Sequence, residues 1–228
     1  MGKVLDALLG LPKSIYFCFK YLPPIIALRL PIILSRHVYL KKMKGNVTID
    51  SSHVSFGLIK IGFGDVGIFD PKFSRTIWQN NGGGVTFKGK ANIGHGSRVS
   101  INACGNLIVG ADFSISAESH IICSKEIEFG SNVLISWQCL IMDTDFHKIF
   151  INPTNDISVS AHDNIDQSIY IGDHVWIGCK STVLKGANVG TDCVIAANSN
   201  VVRGIYGKNL ILAGNPAKPI KRIKGWEK

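Results

Sequence analysis

The sequence predicts an all-β solenoid, a chain wound into stacked triangular coils of short parallel strands. Three observations predict it. Between residues 171 and 202, Ile or Val recurs at every sixth place: Ile171, Ile177, Val183, Val189, Ile195 and Val201. Four places after the first five of these stand Val175, Ser181, Ala187, Cys193 and Ser199, all small or moderate. Gly or Ala follows several of the apolar positions, at Gly172, Gly178, Gly190 and Ala196. A period of six suits neither a 3.6-residue helix nor a plain alternating strand. It suits a short strand plus a turn, repeated, with one side chain per unit in a shared core. Three units make one coil of about eighteen residues.

The elements follow in chain order. Residues 1–44 form an apolar, basic segment. Its stretch "IYFCFKYLPPIIALRLPIIL" (15–34) is long and apolar, but Lys20, Arg29, Pro23, Pro24 and Pro31 interrupt it. It is read as neither a clean membrane span nor a signal peptide, because no small-residue cleavage site follows a compact apolar run. Two short helices are expected, near 3–20 and 25–35, joined at Pro23-Pro24. Their apolar faces either cap the main domain or rest in a membrane interface.

The solenoid is expected over 45–206. Residues 47–70 read as early, less regular coils. Ile93 and Val99 begin one pair of repeats; Val109, Ile115 and Ile121 make a run; Phe129, Ile135 and Ile141 make another. The phase slips between runs, from Val99 to Val109 and from Ile121 to Phe129, as small insertions at corners would produce. A loop over 143–169 interrupts the repeat, and 207–228 form a basic cap or tail.

Charge is unevenly placed. The chain carries +9 in total. Residues 1–44 hold eight Lys/Arg and only Asp6 as acid, 203–228 hold seven and only Glu227, and the middle is mildly acidic. Basic ends can meet anionic lipid or a phosphorylated small molecule. No nucleic-acid-binding motif is present. The six cysteines show no Cys-x-x-Cys spacing and no zinc-finger His partner, so no metal is expected. Cys139 and Cys193 fall at small-residue positions of the repeat. Reduced, buried thiols fit a reducing compartment, and the cytoplasm, with contact at the inner face of the membrane, is the expected location.

The pattern [LIV]-[GA]-x-x-[small]-x over 171–202 resembles the hexapeptide-repeat transferases, and the likeness extends over roughly 45–222. The resemblance implies a left-handed parallel β-helix, a hand that periodicity alone does not supply and that departs from the usual crossover rule. It also implies acetyl-CoA as acyl donor, held between two β-helices of a homotrimer.

The interruption reads "DTDFHKIFINPTNDISVSAHDNIDQS" (143–168). Long irregular loops in compact repeat domains carry function or disorder. His147 near its start is a candidate general base, because a neutral imidazole can take a proton from an attacking hydroxyl. Asp143 or Asp145 is a candidate to hold the ring; turn formation is the competing role for either. The stretch "ISWQCLIMDTDFHKI" resembles O-acyltransferases of cell-surface sugars, in which a His at the start of this loop is the base. His95 and His174 fall at corners and are expected to be solvated; His162 lies late in the loop; His120 could line the cleft.

The resemblance assigns the donor site residue by residue. Trp176 in "HVWIG" forms a wall near the acyl group. Cys179 offers its backbone N–H to the developing oxyanion, and Ala197 a backbone contact to pantetheine. Arg203 and Lys218 lie toward the phosphates, with Pro216 beside the adenine. From their place in the coils, Trp137 could form part of the acceptor pocket and His120 could line the cleft. The expected reaction is direct acetyl transfer to a hydroxyl of a sugar or glycan in surface-polysaccharide biosynthesis. The alternatives are an N-acetyltransferase acting on an amino-sugar nucleotide and a non-catalytic binding or scaffold solenoid. A serine acetyltransferase would have a large helical N-terminal domain. A zinc carbonic anhydrase of the same fold would need a short His-x4-His spacing that His120, His147 and His162 lack.

Overall fold

The computed structural model describes residues 2–64, 66–70, 73–148 and 165–227. The strands form three flat faces of a triangular prism. The first face runs from Ile32–Leu34 through Ile59–Ile61, Ala91–Ile93, Phe113–Ile115, Leu134–Ile135, Trp176–Ile177 and Val194–Ile195 to Leu210–Gly214. The second runs from Tyr39–Met43 through Ile77–Asn80, Arg98–Ile101, His120–Cys123, Leu140–Met142 and Thr182–Leu184 to Asn200–Val201. The third runs from Asn46–Ile49 through Gly84–Phe87, Asn106–Val109, Glu126–Phe129, Ile169–Ile171 and Ala187–Val189 to Gly204–Tyr206. The chain visits the faces in turn, so neighbours on a face are parallel and one coil apart. Ile177 pairs with Ile195, eighteen residues on. The sole reversal among the described strands is Ala217–Arg222, which folds back antiparallel on Leu210–Gly214.

The hexad positions build the core. Ile177, Val183, Ile195 and Val201 are all fully buried, as are Ile93, Ile115, Ile135 and Ile141 upstream. Cys139 and Cys193 are buried at the small positions and all six cysteines are free thiols. Burial pushes the Cys139 thiol up to about 11, so it packs as a small apolar group rather than as a nucleophile.

Each corner has its own construction. On the first edge, between the first and second faces, Glu118, Gln138, Lys180 and Asn198 stack with φ of 49–60°. Their N–H groups donate to the coil before, as from Lys180 to Trp137 O (2.9 Å) and from Asn198 to Cys179 O (2.9 Å). The third edge repeats the device with Asn132, His174, Asp192 and Asn209. A left-handed residue costs about 1 kcal/mol, and the inter-coil hydrogen bond offsets it. Two early turns are long, 50–58 on the third edge and 62–76 on the first, and from the coil that begins at Ala91 onward the second edge takes the insertions. The slips seen in the sequence fall there, in the turns between Ile101 and Asn106 and between Cys123 and Glu126, and so does the long loop.

The N-terminal segment caps the prism. Helix α1 (Gly2–Tyr21) and the short α2 (Pro24–Ala27) lie on the first coil. Phe17, Cys18, Leu22 and Ala27 join the core, with Phe17 edge-on to Trp78 at 5.2 Å. Gly10 is required, since a Cβ there would stand 1.9 Å from Leu34 O. Two expectations change. The second helix ends at Ala27, not near 35, because Leu30 turns left-handed (φ 46°) and Pro31 follows. Ile32–Leu34 then becomes the first strand, so the solenoid begins before residue 45, and at the other end it runs on into the 210–222 hairpin.

Candidate active site on two edges of the prism

The first edge gathers most of the residues expected to bind ligands. The register that pairs Ile135, Ile177 and Ile195 places Trp137, Cys179 and Ala197 two residues later, one above another. Their carbonyls or neighbours hold the edge together, yet among the described residues the N–H groups of Trp137, Cys179 and Ala197 donate to no acceptor. Buried amides are almost always paired. A stacked row of open donors at a half-exposed edge is a surface ready for a chain of carbonyl groups.

The row continues upward. The turn at Asn215-Pro216 sits beside it, with Asn200 Nδ2 donating to Asn215 Oδ1 (3.1 Å) and the Gly214 N–H to Ser199 Oγ (3.2 Å). Pro216 and Lys218 are exposed there. Trp176 reaches the same edge across the first face, its indole N–H donating to Ser136 Oγ (3.0 Å). Below, Phe73, Ser74, Arg75, Arg98, Glu118 and His120 line a cleft of about 240 Å³ that Gln138 also borders. Burial first, then the Arg98 charge, lowers the His120 pKa, against a smaller upward pull from Glu118. Its ring is neutral at neutral pH and can donate and accept.

The second edge holds the other group. Asp143 is fully buried and its carboxylate accepts N–H groups from Ser124 (2.7 Å), Lys125 (2.8 Å) and Glu126 (2.8 Å). Burial raises its pKa, and the three hydrogen bonds pull it back down. Asp145 pairs with Lys185 at 2.5 Å. The loop's neck is zipped by Asp145 N–H to Ile165 O (3.1 Å) and Gln167 N–H to Asp143 O (2.9 Å). Beyond that neck Phe146 turns left-handed (φ 60°), and His147 stands exposed. A hollow of about 300 Å³ opens at the neck of the loop, lined by Asn102, Cys104, Thr144, Phe146 and Asp166. Residues 149–164 of the 143–169 loop, His162 among them, lie outside the described residues.

Among the described residues His147 makes no hydrogen bond or ion pair, so neither Asp143 nor Asp145 is seen orienting its ring. Asp143 builds the turn under the loop and Asp145 latches its neck. Arg203 is exposed on this second edge, its stem against Gly186. The first group and the second stand at opposite ends of the strands Leu140–Met142, Thr182–Leu184 and Asn200–Val201.

Two histidines differ from expectation. His95 is buried, edge-on to Phe69 at 6.1 Å. His174 is half-buried between Asp192 (2.7 Å) and the ring of Trp226, which stacks on it at 4.6 Å. Sequence reasoning also missed Lys185 and Trp226. Lys185 is forty places from Asp145, and only the coil repeat brings them together. Among the described residues no three His, Cys, Asp or Glu side chains converge on a metal-sized site.

Comparison with known proteins fits this architecture. The model of bacterial transferase hexapeptide repeats matches residues 168–203. A putative lipopolysaccharide-biosynthesis O-acetyltransferase of Escherichia coli is 31% identical over 156 residues, 65% of this chain and 79% of the relative. A probable acetyltransferase of Mycobacterium tuberculosis is 34% identical over 126 residues, 54% of this chain. The match spans only 40% of that relative's length. Among solved structures, a polysialic-acid-specific acetyltransferase superposes with TM-score 0.51 at 22% identity, covering 86% of this chain and 78% of the other. These likenesses supply the hand of the coil, a left-handed parallel β-helix.

Proposed function

The chain belongs to the bacterial transferases built of hexapeptide repeats, and from that membership we propose that it is an O-acetyltransferase moving an acetyl group from acetyl-CoA to a hydroxyl of a sugar or glycan. The observation that carries the donor half is the first edge, with its stacked open amides at Trp137, Cys179 and Ala197. The pantetheine arm is a string of amides and matches such a row. Pro216 flanks the adenine, and Lys218 meets the phosphates. Trp176 walls the acyl end.

The acceptor half rests on His147 and on the cleft beneath Trp137 that includes His120. The His147 imidazole takes the proton of the sugar hydroxyl as its oxygen attacks the thioester carbonyl. The Cys179 N–H holds the oxygen of the tetrahedral intermediate. The C–S bond then breaks, and the thiolate leaves and recovers the proton from the imidazolium. Asp143 and Asp145 act as positioning residues for the loop.

The two edges of one chain do not meet, so the complete site takes His147 and Arg203 from one copy and the donor edge from the next. A closed homotrimer makes three such grooves. The name of the Escherichia coli relative favours a surface-polysaccharide acceptor.

The test is thiol release from acetyl-CoA, wild type against His147→Ala, over a panel of sugars and polysaccharide fragments. Release that requires one hydroxylated sugar and is lost in the variant supports the reading. Release only with an amino-sugar nucleotide would replace it with N-acyl transfer, and no binding of acetyl-CoA by calorimetry would replace it with a scaffold.

A further inference from the structure

Helix α1 has two apolar faces, and the prism covers only one. The inward stripe is Gly10, Ser14, Phe17 and Cys18. It is fixed by Ser14 Oγ, which accepts the Leu34 N–H (2.8 Å), and by Lys13, whose ammonium donates to Arg36 O (2.6 Å) and Val38 O (2.8 Å). The outward stripe is Val4, Leu5, Leu8, Leu9, Tyr16 and Phe19, all exposed, Val4 at 70% and Leu8 at 60%. Spacings of three and four put them on one side of the helix. Beside α1, Ile25 on α2 and Leu28 at its C-terminal cap are exposed at 74% and 72%. An apolar face of this extent marks an interaction surface.

Charge identifies the occupant. Lys20, Arg29, Lys41, Lys42 and Lys44 are exposed in or beside the two helices. Asp6, the one acid among the first 44 residues, is occupied by Arg36, at 3.5 Å from its guanidinium and 3.2 Å from its N–H. The segment's excess of seven positive charges opposes packing against a second copy of itself. An anionic lipid surface accepts both the apolar stripe and the cations. No helix among the described residues is long and apolar enough to cross a bilayer.

We propose that the outer face of α1, with α2 and the lysines of the first coil, lies in the headgroup region of an anionic membrane. The inference goes beyond acyl transfer and does not depend on it.

Flotation of the full chain with phosphatidylcholine vesicles, with and without phosphatidylglycerol, tests it. The protein is expected to float with the anionic vesicles and at least tenfold less with the neutral ones. Leu8→Glu/Leu9→Glu changes only exposed positions, and circular dichroism checks its fold. It is expected to lose binding at least tenfold. Lys41→Glu/Lys42→Glu/Lys44→Glu is expected to lose roughly fivefold or more per cation. Absence of flotation with anionic vesicles overturns the proposal. So does flotation that the folded leucine variant leaves unchanged. Self-association without lipid that the same variant abolishes assigns the face to a second copy instead.

Discussion

The first and second edges of the prism are made by the same strands and do opposite things. On the first edge the four coils from Glu118 to Asn198 each turn through one left-handed residue and the backbone repeats, whereas an earlier coil spends residues 62–76 there. On the second edge the turns vary in length and one of them becomes the loop after Met142. A repeat that must keep its core can vary only where nothing inward changes. One corner held constant gives a ruler of backbone donors. One corner set free gives a place to mount a reactive side chain.

The largest expected effect falls on the free corner. If His147 is the base, His147→Ala lowers kcat by about 10²- to 10⁴-fold with the melting temperature unchanged, since the side chain is exposed and makes no bond to the described residues. An equal loss from thermal instability would remove the distinction between the corners.

Asp143 comes next. Replacing it with Ala strips three backbone donors of their acceptor in a fully buried turn. A loss of about 3 kcal/mol in chemical denaturation is expected, since each orphaned donor costs on the order of 1 kcal/mol or more. A variant as stable as wild type would show that the loop does not rest on this turn.

The constant corner is sharpened by Lys180. Lys180→Gly relieves the left-handed strain and is expected to change stability by about 0 to +1 kcal/mol, whereas Lys180→Val costs roughly 1–2 kcal/mol because a β-branched residue resists positive φ. Equal stabilities for Gly and Val would contradict the left-handed ladder.

The smallest effect is a pH dependence. The folded state holds the His120 pKa below its ordinary 6.5, so the unfolded chain binds the proton more tightly. Stability is therefore unaffected above that value and falls as pH drops through 6.5 toward the folded pKa. His120→Gln should flatten this limb of the stability–pH curve.

Much of the fold was legible because the core repeats. The sixth-place residues Ile171, Ile177, Val183, Val189, Ile195 and Val201 are all buried, and the phase slips correctly marked corner insertions. The N-terminal boundary was not legible. "PIIL" is apolar enough for a helix or a buried strand, and only pairing with Ile59–Ile61 decides for the strand. The stacking of Trp137, Cys179 and Ala197 follows from an eighteen-residue coil but is hidden by the 143–168 insertion. The partners of the aspartates were not readable either, because Asp143 meets Ser124 and Asp145 meets Lys185 only through coil neighbours.

The central claim is that the donor edge of one copy works with His147 of another. Co-expression of two inactive variants tests it most directly: His147→Ala, with an intact edge, and Ala197→Trp, which fills the exposed edge. Random mixed trimers place an intact edge opposite an intact His147 at about one quarter of their grooves, so the account predicts recovery of roughly that fraction of wild-type acetyl transfer. Mixed trimers that form, by mass measurement, and release no thiol would contradict it.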